Sequence, residues 1–320
     1  GTVLKKKSAM AQRTNGPQKE RGKNMTTNST SKLKAKDPKD VSPGKSKIMI
    51  FSRSGVGKTW FALDFPKPYY IDTEGGAKLG HYQKKLAADG GAYFGPEDGA
   101  LNFEEVLGQV QALATEKHEY KTLIFDSITK LFQTAIADEA NRLGDKDAFG
   151  ASKKPAIAFM RRLVNWVQRI DMNVIFIAHE VAEWGMVNGQ REQIGVVADI
   201  WDKLQYELDL NLQAVRRGNS RVAMVKKSRL LGFPETDTFP LEYEEFASRY
   251  GKDFIEGAVS QITLASADQV AEIKRILDLL KLPQNEIDKA LNKAKAEDWS
   301  ELTDEQADAY IAYLKKKIEK

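Results

Sequence analysis

The chain has 320 residues, 42% hydrophobic and 29% charged, with no cysteine and a formal net charge of +4. That length suits one large core with a small appendage, and the composition is that of a globular protein in water. The missing cysteines exclude disulfides, thiolate metal sites and cysteine nucleophiles together, no apolar run approaches the roughly 18 residues that span a bilayer, and His81, His118 and His179 lie too far apart to read as a metal set.

The charge is unevenly spread. Residues 1–47 hold thirteen Lys and Arg against Glu20, Asp37 and Asp40, so this stretch carries +10 and the remainder −6. Residues 1–46 are rich in Ser, Thr, Asn, Gly and Pro and too poor in apolar surface to order themselves, so a disordered basic leader is expected. Its lysine-rich start has no apolar segment behind it and does not read as a secretory signal. Part of it, residues 1–24, reads as upstream sequence before a start at Met25. The sharper alternative is a basic arm on nucleic acid, drawn by sequence-independent attraction to phosphate.

From Lys47 short apolar runs alternate with helical stretches. "KIMIFS" (47–52) reads as a buried strand, followed by a glycine loop and a helix from Lys58 that stops before Pro66 and Pro68. "YYIDTE" (69–74) is a second strand, and 103–118 has helical spacing with Val106, Val110 and Leu113 on one face. "KTLIFDS" (121–127) and "NVIFIAHE" (173–180) are continuous apolar runs, as expected of strands covered on both faces, with helices at about 128–143 and 156–170 between them. Residues 206–215 and 220–229 are β-rich and flank a hairpin turn at 216–219. "FPLEYEEFASRYG" (239–251) closes the core. After Gln261 come three helical segments, with Ser266 and Thr303 as N-caps and Pro283 in a first turn. The expected fold is α/β, a mainly parallel sheet flanked by helices over 47–258 with a β-hairpin near its end, plus a three-helix module at 262–320.

The glycine loop carries the chemistry. "SRSGVGKT" (52–59) fits the phosphate-loop pattern with Ser52 at the usual first glycine. Ser54, Gly55, Val56 and Gly57 would aim backbone N–H groups at an anion at a helix N-terminus. Lys58 would reach the β- and γ-phosphates, the Thr59 hydroxyl would ligate Mg²⁺, and Trp60 follows beside the loop. Asp126 ends the third strand, where an acid would hold Mg²⁺ directly or through water. Glu74 is the choice to orient or deprotonate the attacking water, with Asp72 left open because it would point the same way along an extended strand. His179 ends the fourth strand, where a neutral imidazole can donate to a phosphate oxygen. Lys227 and Arg229 alternate to one face and could reach a single anion, or be simply solvated.

"IFSRSGVGKTWFA", "YYIDTEGG", "TLIFDSITKLF", "NVIFIAHE" and "VAMVKKSR" stand in the order of the RecA-like ATPase core. The set resembles phage-encoded RecA-like nucleotide-binding proteins, some of which anneal single strands, over roughly residues 46–250. The resemblance implies ATP and Mg²⁺ as cofactors, Glu74 as catalytic glutamate, His179 as γ-phosphate sensor and Lys227-Ser228-Arg229, with Lys226 an adjacent candidate, as a finger acting on the next subunit, hence a ring or filament. It also implies that the loops at 147–156, with Lys153 and Lys154, and at 180–193, with Trp184 and Arg191, contact single-stranded DNA by charge and stacking. Trp184 packed at an interface is the competing reading.

With ten Lys and Arg against twelve Asp and Glu, residues 262–320 fit a protein-interaction role, toward a single-strand-binding or other recombination protein, better than a DNA anchor. The expected function is ATP-dependent binding of single-stranded DNA with annealing or strand exchange, in the cytoplasm of a bacterial host and away from membranes. The alternatives are a RecA-like helicase or motor, and a nucleotide-gated adaptor with little hydrolysis.

Overall fold

The computed structural model describes residues 35, 37–40, 44–147 and 150–318. Most of the basic leader therefore lies outside the described residues. The chain divides into two units, residues 1–42 and 43–320. In the first, Pro38–Asp40 form a 3₁₀ turn.

In the second, Lys45 and Ser46 are already buried, so the folded part begins before the expected residue 47. Strand β1 (Lys47–Ser52) is buried along its whole length and feeds α1 (Lys58–Ala62). Then come β2 (Pro68–Asp72), α2 (Gly80–Ala88), β3 (Ala92–Phe94), α3 (Phe103–Thr115), β4 (Thr122–Asp126), α4 (Ile128–Leu143) and α5 (Lys153–Arg169). Strand β5 (Asn173–Val187) turns back into β6 (Gln190–Ala198). After α6 (Leu204–Glu207), the hairpin β7 (Leu210–Arg217) and β8 (Ser220–Ser228) leads to β9 (Thr238–Pro240), α7 (Tyr243–Tyr250) and α8 (Lys252–Glu256).

The strands run in the order β3-β2-β4-β5-β1-β7-β8-β9, with β6 paired to β5 alone. Pairings from β3 through β7 are parallel, and β8 and β9 are antiparallel to their neighbours. Alternation along β1 builds two cores. Met49 and Phe51 join the side of α3, α4 and α5, while Ile48 and Ile50 join Phe61, Phe65 and Phe246 on the other. Because β5 is inserted between β1 and β4, the ends of these two strands stand two strand spacings apart, roughly 10 Å, and the start of α1 reaches across to Asp126. That gap sits at the C-terminal ends of the strands, where parallel sheets seat ligands.

Three expectations need correction. Strand β2 stops at Asp72, because that side chain leaves the strand to accept backbone bonds from Glu74, Gly75, Gly76 and Ala77. Helix α5 begins at Lys153, so Lys153 and Lys154 lie in its first turn, with Pro155 where it needs no N–H donor. The segment 180–193 is a two-stranded ribbon, and its turn is Asn188-Gly189 with φ of 51° and 83°. Residues 148–149 lie outside the described residues.

Helices α9 (Ala267–Leu280), α10 (Gln284–Ala294) and α11 (Asp304–Ile318) enclose a separate apolar cluster around Ile273, Ile276, Trp299 and Leu314. Ser266 caps α9 reciprocally with Gln269, Thr303 Oγ1 accepts from Gln306 N at the start of α11, and Pro283 stands at the N-cap of α10. The module is tied to α3 and α5 by the buried Glu301, which accepts from Arg162 at 3.1 Å and Gln111 at 3.4 Å, while its carbonyl accepts from Arg169 at 2.6 Å. Replacing Glu301 with alanine takes the acceptor from Gln111 Nε2 and from the Glu297 N–H, while Arg162 keeps Glu104 and Glu297 and Arg169 keeps the backbone carbonyl. A loss of about 2 kcal/mol is expected, read as a lower midpoint in urea and faster amide exchange in α9.

Candidate active site

The loop after β1 turns on Gly55 and Gly57, with φ of +79° and +107°, a region that side chains rarely enter. These two residues let the chain double back onto the start of α1. Lys58 is buried, and its Nζ donates to Ser52 O, Ser52 Oγ and Arg53 O, each at 3.0 Å. The serine in place of the usual glycine thus supplies a hydroxyl partner to the loop lysine. Burial pulls the Lys58 ammonium below its ordinary value, against Asp126, Glu180 and Glu74, which hold it up. The Val56 side chain turns into the core, so this residue has only its backbone to offer the loop.

Thr59 Oγ1 donates to Asp126 Oδ2 at 2.5 Å, and Tyr70 OH donates to the same oxygen at 3.0 Å. Burial pushes the Asp126 carboxyl above its ordinary value while these two donors oppose the shift. Burial, and then Asp126, likewise push the Tyr70 phenol upward, so it stays a donor. Thr59 and Asp126 are hard oxygen ligands brought to one point, the donor type that Mg²⁺ takes. Among the described residues no group of three or more His, Cys, Asp or Glu could hold a metal ion. Mg²⁺ bound by Thr59 and Asp126 would supply neutralisation of phosphate charge.

Glu74 lies just past β2. Its Oε1 accepts from Ser127 Oγ at 2.6 Å and stands 3.3 Å from His179 Nε2. His179 is opposite Ser52 in the β1–β5 register, and its backbone N–H is held by Thr129 Oγ1 at 2.9 Å. Asp72 is consumed by the four loop amides and is nearly fully buried, so of the two acids only Glu74 faces the cleft. The cleft is about 560 Å³ and is lined by Ser54, Gly55, Gly57, Lys58, Thr59, Trp60, Glu74, Asp126 and His179 among others. Trp60 is half exposed there, with Lys85 Nζ 3.7 Å from its ring centre and His81 and Tyr82 beside it.

The profile of the family described as "AAA domain" matches residues 44–239, well over half of the chain. The chain belongs to the AAA domain family. No curated protein matches it. Among solved structures it is similar to the RadB recombinase, at 18% identity and a TM-score of 0.39 over 61% of this chain and 86% of that one. It is also similar to a prototypical ATPase from the type III secretion system of pathogenic bacteria, at 14% identity and a TM-score of 0.35 over 85% and 81%. The fold is the expected RecA-like P-loop arrangement, and the protein is an AAA-type P-loop ATPase domain. No described helix is long and apolar enough to cross a membrane.

Other sequence candidates stand elsewhere in this AAA domain. Lys227 and Arg229 are at the far end of β8 from the glycine loop, donating to the carbonyls of Leu208 and Tyr206. Trp184 and Arg191 face one another across the β5–β6 ribbon, with the guanidinium 5.5 Å from the ring centre and Trp184 53% exposed. Lys153 and Lys154 are exposed on α5. Sequence reasoning missed Tyr70, Ser127 and Arg221. Tyr70 and Ser127 adjoin residues it did choose, but which neighbour turns inward is set by the fold.

Proposed function

We propose that this AAA domain hydrolyses ATP between neighbouring copies of itself and couples the cycle to single-stranded DNA, promoting annealing or strand exchange in phage recombination. The observation that carries the reading is the separation of two sets of groups on one subunit. Lys58, Thr59, Asp126, Glu74 and His179 share one cleft. Lys227 and Arg229, by contrast, occupy the opposite end of the sheet and make no ion pair among the described residues. Cations placed there can meet a triphosphate only on another copy, which calls for a head-to-tail ring or filament.

In this scheme Lys58 and the loop amides hold the phosphates, and Glu74 orients or deprotonates water. Lys227 and Arg229 of the adjacent copy stabilise charge developing on the γ-phosphate. His179 contacts Glu74 at the root of β5, the strand that continues into the exposed ribbon, so one strand links the acid to a DNA-facing surface. On that ribbon Trp184 and Arg191 offer an aromatic face and a cation, a combination that stacks bases without reading them. Lys153 and Lys154 are further proposed contacts, and residues 262–320 are proposed to bind a partner protein.

The test is the ATPase rate with and without single-stranded DNA, in wild type and Arg229→Ala. DNA should stimulate the wild type, and the variant should stay at its DNA-free rate while still binding nucleotide. Equal stimulation of both proteins would remove the finger from the mechanism. Strand separation coupled to turnover, rather than pairing of complementary strands, would indicate a motor.

A further inference from the structure

Arg221 is the second residue of β8, and because β8 runs antiparallel to β7 it lies at the same end of the sheet as the glycine loop. It packs directly on that loop. A Cβ built on Gly57 would lie 2.8 Å from Arg221 Nη1, 3.2 Å from its Cδ and 3.3 Å from its Cζ. The bare glycine is what lets the arginine lie against the loop. Arg221 is nevertheless exposed, and among the described residues it forms no ion pair. It also lines a second cleft of about 1000 Å³ that shares only Trp60 and Arg221 with the first. Of the three carboxylates in that second cleft, Asp64 is engaged by Lys85 and Glu244 by Lys252, while Glu242 forms no ion pair among the described residues.

We infer that Arg221 binds the α- and β-phosphates of the nucleotide held by its own chain. The inference rests on the nucleotide reading of the glycine loop. Glu74, Asp126 and His179 mark the end of the first cleft where the γ-phosphate is attacked, and none of them reaches the second cleft. Arg221 stands at the junction with Trp60, toward the part of the nucleotide that ATP and ADP have in common. A planar guanidinium with several N–H donors can clasp two phosphate oxygens at once, whereas lysine acts as a point charge. Arg221 differs from Lys227 and Arg229 in kind: it acts within its own chain, from the opposite end of the same strand.

Equilibrium titration of the full chain with fluorescent mant-ADP and mant-ATP, in Mg²⁺, tests the assignment. Arg221→Ala should weaken both ligands by the same factor, about tenfold, with Arg221→Lys recovering only part of it. The melting temperature should be unchanged, since an exposed side chain without a partner is removed. Undiminished affinity for both ligands overturns the inference, as does a loss confined to mant-ATP, which would move the arginine to the γ-phosphate. Lys58→Ala in the same series separates the two levels. If it abolishes binding while Arg221→Ala does not weaken it, only the arginine's role fails; if wild type binds neither ligand, the nucleotide reading fails with it.

Discussion

Lys58→Ala should lose nucleotide affinity by several hundredfold and hydrolysis with it, while the protein stays folded. The ammonium is fixed at the floor of the cleft by three oxygens at 3.0 Å, so it is positioned in advance and little side-chain entropy is lost on binding. Replacing it forfeits charge-assisted bonds to phosphate in a partly dry site, about 3–4 kcal/mol in all. Folding should suffer much less. Of the three abandoned acceptors, Arg53 O belongs to an exposed residue and still accepts from Ser52 Oγ, which leaves the buried Ser52 O as the main loss. Asp126 would lose a nearby cation, and its carboxyl, already raised by burial, would rise further. Fluorescence anisotropy with mant-ATP, paired with a thermal melt, reads both quantities. An affinity within threefold of wild type would take Lys58 out of the site.

Much of this architecture is legible in the residues, and the exceptions have physical causes. Strands β1, β4 and the first half of β5 are continuous apolar runs because both faces are covered, and the glycine loop follows because phosphate binding needs backbone amides and left-handed turns. The choice between Asp72 and Glu74 cannot be read from alternation. It is decided by Asp72 accepting from four successive amides, which ends the strand and redirects the chain. The β5–β6 ribbon was signalled. Asn188-Gly189 between alternating residues is a strong two-residue hairpin mark, and both positions adopt the positive φ that such a turn demands. That signal is masked by the glutamates and by Gly185, over which Ile194 folds. Arg221 has no sequence mark at all, since its place over Gly57 depends on pairing between strands more than 150 residues apart in the chain.

Glu74→Gln should lower ATP turnover by 10²–10⁴-fold, the range typical of losing a positioned acid or base, and leave nucleotide affinity within a few-fold of wild type. The two side chains have the same shape, and a glutamine oxygen can still accept from Ser127 Oγ and face His179, as the carboxylate does at 2.6 Å and 3.3 Å. What is lost is the second, fully charged acceptor that draws a proton from water. Asp72→Asn is the informative companion. Its carboxylate holds the 74–77 turn, so that variant should lower the melting temperature and misplace Glu74, whereas Glu74→Gln should not touch stability. Single-turnover hydrolysis with both proteins separates these effects. A Glu74→Gln rate close to wild type would mean that another group prepares the water. A slow rate with normal strand annealing would instead show that pairing needs nucleotide bound but not split, which is how an adaptor works and not an ATP-driven machine.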